Sequence, residues 1–141
     1  MLELNFKICA MKIFKKKIKI IVEKTETGFS AYSEDYPIFT TGRTVPELID
    51  NSLEATQLYF EEQYEITHEN LKFEIDFAQF FQYFKVLNSK FLAEKIGMNP
   101  TLLSQYVQGH KKPSENQTEK ILTGIHQIGQ ELSEMNLIYR R

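Results

Sequence analysis

Apolar and polar positions follow strand-like patterns in the first half of this chain, broken by one helical stretch, and recur near 3.6 in the second. Lys17 to Lys24 (KIKIIVEK) is rich in Ile and Val and predicts a strand. Glu26-Thr27-Gly28 predicts a hairpin turn, and Phe29 to Ser33 alternates as the second strand. Tyr36-Pro37 interrupts the pairing, and Ile38 to Thr41 makes a short third strand. Upstream, Met11-Lys12-Ile13-Phe14-Lys15 reads as an opening strand with Met11 as a candidate translation start, and Lys15-Lys16-Lys17 as a solvated strand end. Thr44-Val45-Pro46-Glu47 is a capping box with proline in the first turn, opening a long helix over 45–63. Its apolar stripe is Leu48, Ile49, Leu53, Ala55, Thr56, Tyr59 and Phe60. Its polar face carries Glu47, Asp50, Glu54, Glu61 and Glu62 with no Lys or Arg. Residues 64–70 read as a polar loop. Leu71 to Phe77 alternates as a fourth strand, with Leu71, Phe73, Ile75 and Phe77 on one face. The order strand, strand, strand, helix, strand predicts a small α+β layer.

The helical period takes over after that. Ala78 to Leu87 is strongly aromatic, and Phe80, Phe81 and Phe84 are expected to pack into the helical half as its first helix. Asn88-Ser89 caps the next helix, which Gly97 ends, because glycine enters the left-handed conformation without steric cost. Asn99 caps a further helix with Pro100 in its first turn. Leu102, Leu103, Tyr106 and Val107 face the core, and Thr101, Ser104, Gln105 and Gln108 fall opposite. Those side chains are short or amide-bearing, the kind that reads base edges. Gly109 stops the helix, Lys111 and Lys112 follow in a loop, and Pro113-Ser114 opens a helix over 115–135. In it, Ile121, Ile125, Ile128, Leu132 and Met135 recur at a coiled-coil spacing. This seam is read as a dimer contact, with intramolecular packing as the competing reading.

Composition narrows the class. Hydrophobic residues make up 42% and charged residues 26% of the 141 positions, as in globular proteins. No apolar run approaches a membrane span, no signal peptide is read, and a reducing cytoplasm is expected. The single cysteine, Cys9, rules out an internal disulfide and a cysteine-cluster metal site. Residues 86–141 carry seven Lys and Arg against five Asp and Glu, a net +2, while residues 1–85 carry ten against fourteen, a net −4. A mildly basic C-terminal half suits a DNA contact that becomes strong only in a dimer. No Gly-rich phosphate loop, Ser/His/Asp set or Cys/His pair is present, and His68, His110 and His126 lack partners at metal-ligand spacing. No enzyme activity, catalytic residue, metal site or cofactor is expected.

Two stretches resemble known families. Leu92-Ala93, Ile96-Gly97-Met98-Asn99, Leu103-Ser104, Gly109 and Pro113-Ser114 are similar, in register, to the helix-turn-helix of the lambda-repressor and Cro (xenobiotic-response-element) type. Pro100 stands where that family often has a base-contacting Gln or Ser. The resemblance implies DNA contacts from Asn99, Thr101, Ser104, Gln105, Gln108, Lys111 and Lys112. Further upstream, Thr41-Gly42-Arg43-Thr44, Glu47-Leu48, Asn51, Glu54-Ala55 and Tyr59-Phe60-Glu61 resemble the HicB antitoxin family, as does the hairpin Ile21 to Lys24, Gly28-Phe29 and Ala31-Tyr32. Asp35-Tyr36-Pro37-Ile38 replaces the family's Pro-Gly-Cys-like loop, and Arg43 replaces its usual Asp.

Together the resemblances imply a degenerate ribonuclease-H-like domain over 11–77 and a helix-turn-helix domain for DNA binding and dimerisation over 78–141. The implied partners are a HicA-like, mRNA-cleaving toxin, double-stranded operator DNA and a second copy of the chain, with no membrane. Tyr36, Phe39, Glu47, Asp50 and Glu54 are the expected toxin contacts. Two alternatives stand beside this. One is a stand-alone helix-turn-helix regulator with a ligand-sensing or assembly domain. The other is an active nuclease using Glu23, Glu54 and Glu74 or Asp76 on metal ions.

Overall fold

A computed structural model describes residues 11–137. The expectation that the chain opens untidily over residues 1–10, and the location of Cys9, fall outside the described residues, as do Arg140 and Arg141. The protein is of mixed α and β structure and divides into two compact units, Met1–Tyr83 and Phe84–Arg141.

In the first unit, β1 (Lys12–Ile13) precedes the long strand β2 (Ile18–Thr25), which turns back into β3 (Gly28–Tyr32) and then β4 (Phe39–Gly42). Helix α1 (Val45–Phe60), β5 (Tyr64–Glu65), a short 3-10 turn (His68–Asn70), β6 (Leu71–Ile75) and α2 (Phe77–Tyr83) complete it. The sheet order is β4-β3-β2-β6, antiparallel except for the parallel β2–β6 pair. Ile18, Ile20 and Val22 share the helix-side face with Ala31, Leu71 and Phe73, by the period-two alternation of strands. Against them α1 buries Leu48, Ser52, Thr56 and Phe60. The hydroxyls of Ser52 and Thr56 donate to the carbonyls of Leu48 and Ser52, at 2.6 and 2.7 Å, so these small polar groups are buried without being orphaned. Close approach of helix to sheet is fixed at Gly42, where a Cβ would lie 2.5 Å from the Leu48 nitrogen.

The four long strands and α1 lie where the periodicity predicts, and three details differ. First, α1 ends at Phe60 rather than near Gln63, because Glu61 adopts a positive φ of 52° and turns the chain. Second, the expected polar loop over 64–70 contains β5, which pairs in parallel with β1 (Lys12 opposite Tyr64, Ile13 opposite Glu65). Third, the fourth strand stops at Ile75. Asp76 instead caps α2, accepting the Gln79 N–H on Oδ1 at 3.1 Å, and Phe77 and Phe81 are buried in the first unit. The aromatic stretch therefore belongs to the α+β unit up to Tyr83, not to the helical half, and the structural boundary falls at 83/84 rather than 77/78. Helix α2 packs against β2, and the amide of Gln79 bonds the backbone of Lys24.

The second unit consists of α3 (Ser89–Ile96), α4 (Pro100–Val107) and α5 (Glu115–Glu134). Each begins with the cap its sequence supplies. Asn88 accepts from Phe91 N–H at 3.2 Å, Asn99 from Thr101 N–H at 2.8 Å and Ser114 from Gln117 N–H at 3.2 Å. Leu92, Ala93, Met98, Leu103, Tyr106 and Ile121 form the buried centre. Where α5 crosses α3, Gly124 leaves room for Ile96, whose Cγ2 stands 2.1 Å from the place a Cβ would take.

Among the described residues, no helix is long and apolar enough to cross a membrane.

Candidate functional site

The turns on either side of α4 share one construction. At the first, the Met98 N–H donates to the Ala93 carbonyl at 2.9 Å and the Gly97 N–H to that of Glu94 at 3.3 Å, with Gly97 at φ 68°. At the second, the His110 N–H reaches the Gln105 carbonyl at 2.9 Å and the Gly109 N–H that of Tyr106 at 3.1 Å, with Gly109 at φ 76°. Both are Schellman closures, in which a left-handed residue lets the last carbonyls of a helix be satisfied by the two following amides. Met98, just past the first closure, is buried, which ties that turn to the core. Helix α4 is thus anchored at both ends by backbone geometry.

Its two faces separate cleanly. Leu103 is fully buried and Tyr106 is buried, while Leu102 and Val107 are half-buried. Thr101, Gln105 and Gln108 are exposed, and Ser104 is half-buried between them. These four residues form one polar ridge, as their spacing predicts. Asn99 is exposed at the head of the helix, but its Oδ1 is used by the cap, which leaves its amide nitrogen as the group facing outward. Lys111 and Lys112 are exposed beyond the second closure, where a phosphate could be met. The Lys120 ammonium donates to the Gly97 carbonyl at 3.3 Å, at the negative end of α3.

In the first unit the five expected toxin contacts have distinct surroundings. Phe39 is 67% exposed on β4. Tyr36 is half-buried and packs on Tyr59 and Phe60, with ring centroids 5.7 and 5.0 Å away. Glu47 makes only half of the expected capping box: its N–H donates to the Thr44 hydroxyl at 3.3 Å, but its Oε2 accepts the Arg43 N–H at 3.1 Å rather than that of the cap residue Thr44. Asp50 lies 3.4 Å from the His68 ring, and Glu54 is exposed on α1. Two neighbours on this surface were not among the expected contacts. Leu58, 69% exposed, lies outside the apolar stripe and among acids. Asn51 donates its amide to the Thr41 carbonyl at 2.8 Å, tying α1 to β4.

The carboxylates considered for metal chemistry do not assemble. Glu74 pairs with Lys19 at 3.6 Å and Lys72 at 4.0 Å, Asp76 caps α2, and Glu54 sits on the exposed side of α1. Among the described residues, no three His, Cys, Asp or Glu side chains gather where they could hold a metal ion. Tyr32 has its pKa raised above the ordinary value, first by desolvation and then by the charges of Glu23, Asp76 and Glu34.

No protein-family model, no curated protein and no solved structure matches the chain.

Proposed function

We propose that this chain is a HicB-type antitoxin: its first unit binds and blocks a HicA-like mRNA-cleaving toxin, and its second represses the shared operon by binding operator DNA. The observation that carries the DNA half is the ridge Thr101, Ser104, Gln105 and Gln108, presented outward above buried Leu103 and Tyr106 on a helix fixed at both ends. A helix so held can enter a major groove without losing its own packing. The toxin half is supported by the acidic outer side of α1, which suits a basic, RNA-binding partner. The first unit, with three antiparallel strands, a helix over one face and a last strand returning parallel to β2, is read as the degenerate ribonuclease-H-like domain. The second copy needed for useful affinity would pair at the C-terminal end of α5, where Leu132 and the cap residue Met135 are each 68% exposed.

The test is co-expression with the short reading frame next to the gene. The two products should co-purify, the small one alone should arrest growth, and the complex should retard a fragment of its own promoter. Promoter binding without a co-purifying neighbour would leave a stand-alone regulator. Metal-dependent RNA cleavage by the chain itself, lost in Asp76→Asn, would favour a nuclease.

A further inference from the structure

We infer that the outer edge of β4 takes its protein partner by strand addition, the partner segment being extended, basic and apolar; this rests on the reading of the first unit as a protein-binding domain. Among the described residues, β4 is an outermost strand of the sheet. Its register with β3 sets which backbone groups face outward. The Ser33 N–H donates to the Ile38 carbonyl at 3.0 Å, and Thr40 lies opposite Ala31, Phe39 opposite Tyr32 and Thr41 opposite Ser30. Opposed residues of an antiparallel pair alternate between those that exchange both ladder bonds and those that exchange none. The Ile38 carbonyl and the backbone groups of Thr40 and Gly42 therefore bond inward (the Ile38 N–H turns back to the Tyr36 carbonyl at 2.7 Å), and Phe39 and Thr41 point their backbone groups away from the sheet. The bond from Asn51 to the Thr41 carbonyl agrees with this. The Phe39 N–H and C=O and the Thr41 N–H remain, and none of the described residues bonds to them. Edges are ordinarily blunted by Lys, Pro or a bulge; β4 (FTTG) carries none of these and displays the exposed Phe39.

Charge selects the occupant. A strand laid on this edge points alternate side chains to the two faces of the sheet. On one face they meet Phe39 and Thr41. On the other they meet the flank of α1, where Leu58 is exposed near Glu54 in a helix with no Lys or Arg. Alternating basic and apolar residues complement both. A second copy of this chain does not, because pairing two β4 edges brings two acidic α1 flanks together.

The experiment is residue-resolved amide exchange on the full chain, titrated with an extended peptide of alternating Lys and Val. Exchange at the Phe39 and Thr41 amides should slow by about tenfold or more at saturation, and a Glu–Val peptide of the same length should leave it unchanged. Thr41→Pro removes the outward donor at a position where an edge tolerates proline, and should weaken the peptide by about tenfold, whereas Thr41→Val, which keeps the N–H, should bind as the parent does. Glu54→Lys should also weaken it. Equal binding of the acidic peptide, or protection confined to other strands, overturns the proposal. So does protection of these amides in the chain alone: a rise with concentration would assign the edge to a second copy, and its absence would assign it to residues 1–10. A neighbour that co-purifies without touching these amides refutes strand addition only. Peptide protection without any co-purifying neighbour refutes the antitoxin reading only.

Discussion

The side-chain amide of Gln79 bonds both backbone groups of Lys24: the Lys24 N–H donates to Oε1 at 2.9 Å, and Nε2 donates to the Lys24 carbonyl at 2.7 Å. It does so just where β6 ends, since the last β2–β6 pair is Val22 opposite Ile75. The glutamine thus stands in for the next peptide of β6 while the chain turns into α2. The lysine it holds is part-buried, with its ammonium over the rings of Phe29 and Tyr83 at 5.0 and 5.1 Å.

Removing that amide should open the end of β2. Gln79→Ala leaves a part-buried donor and acceptor unpaired and is expected to cost about 1–3 kcal/mol in urea denaturation. Gln79→Glu keeps an acceptor but loses the donor, so it should recover less than half of the difference. Faster amide exchange at Lys24 in both variants would locate the effect.

Two glycines of α5 should respond in opposite directions. Nothing lies within 4 Å of a Cβ at Gly129, so Gly129→Ala gains helix propensity, about 0.5–1 kcal/mol. At Gly124 the same methyl meets Ile96 Cγ2 at 2.1 Å, an atom close to its own backbone. Overpacking of about 1–3 kcal/mol exceeds the propensity gain, and Gly124→Ala should melt lower. Thermal unfolding of the two variants side by side reads the difference.

Alkaline stability should depend on Tyr32. Its phenol ionises at a higher pH in the folded chain than the ordinary 10.0, because of desolvation and the nearby Glu23, Asp76 and Glu34. Below the ordinary value the phenol is neutral in both states and costs nothing. As pH rises through that value the unfolded chain releases its proton first, so the folded state is progressively disfavoured. Tyr32→Phe should therefore flatten the loss of stability above about pH 10. Chemical denaturation at neutral and alkaline pH, with phenolate absorbance as a second signal, tests this.

These features differ in how far the amino-acid sequence announces them. The frame of α4 was legible because its chemistry is local: Gly97, Asn99, Gly109 and Ser114 each act within a few residues of themselves. The polar ridge followed from the same helical period. What was not legible depends on distant partners. Gln79 meets Lys24 across 55 positions, and Lys12 pairs with Tyr64, neither marked by any local pattern. The aromatic run ending at Tyr83 announced burial but not which unit would bury it. Glu61 ends α1 with a positive φ and no glycine to signal it. The open edge of β4 was hidden for a related reason: a strand's place in a sheet is set by order, and FTTG reads the same at the centre or the rim.

The exposed end of α5 should govern assembly. Ile121, the first residue of the expected seam, is buried in the unit's own centre and Ile125 and Ile128 are half-buried, so Leu132→Asp with Met135→Asp places charges on the exposed end alone. Sedimentation should show a shift to the monomer, with operator affinity falling at least about tenfold, because two half-sites can no longer be bridged. Unfolding midpoints of the monomeric species should stay near those of the parent. An unchanged sedimentation profile would assign pairing to another surface.

Sequence reading by α4 should separate from charge attraction. Gln105 is exposed at the middle of the ridge, and its amide can pair with a base edge through two bonds, so Gln105→Ala should cost about 1–3 kcal/mol on the operator and little on random DNA. Lys111→Ala with Lys112→Ala removes two cations beyond the Gly109 closure and should weaken both DNAs alike. The slope of affinity against salt should fall by about two counterions for the double variant and stay unchanged for Gln105→Ala. The outcome is sharp because the substitutions touch neither buried Leu103 nor Tyr106, so the fold carrying them is preserved. If Gln105→Ala loses operator and random DNA equally, the ridge does not read sequence, and the affinity of α4 is electrostatic alone.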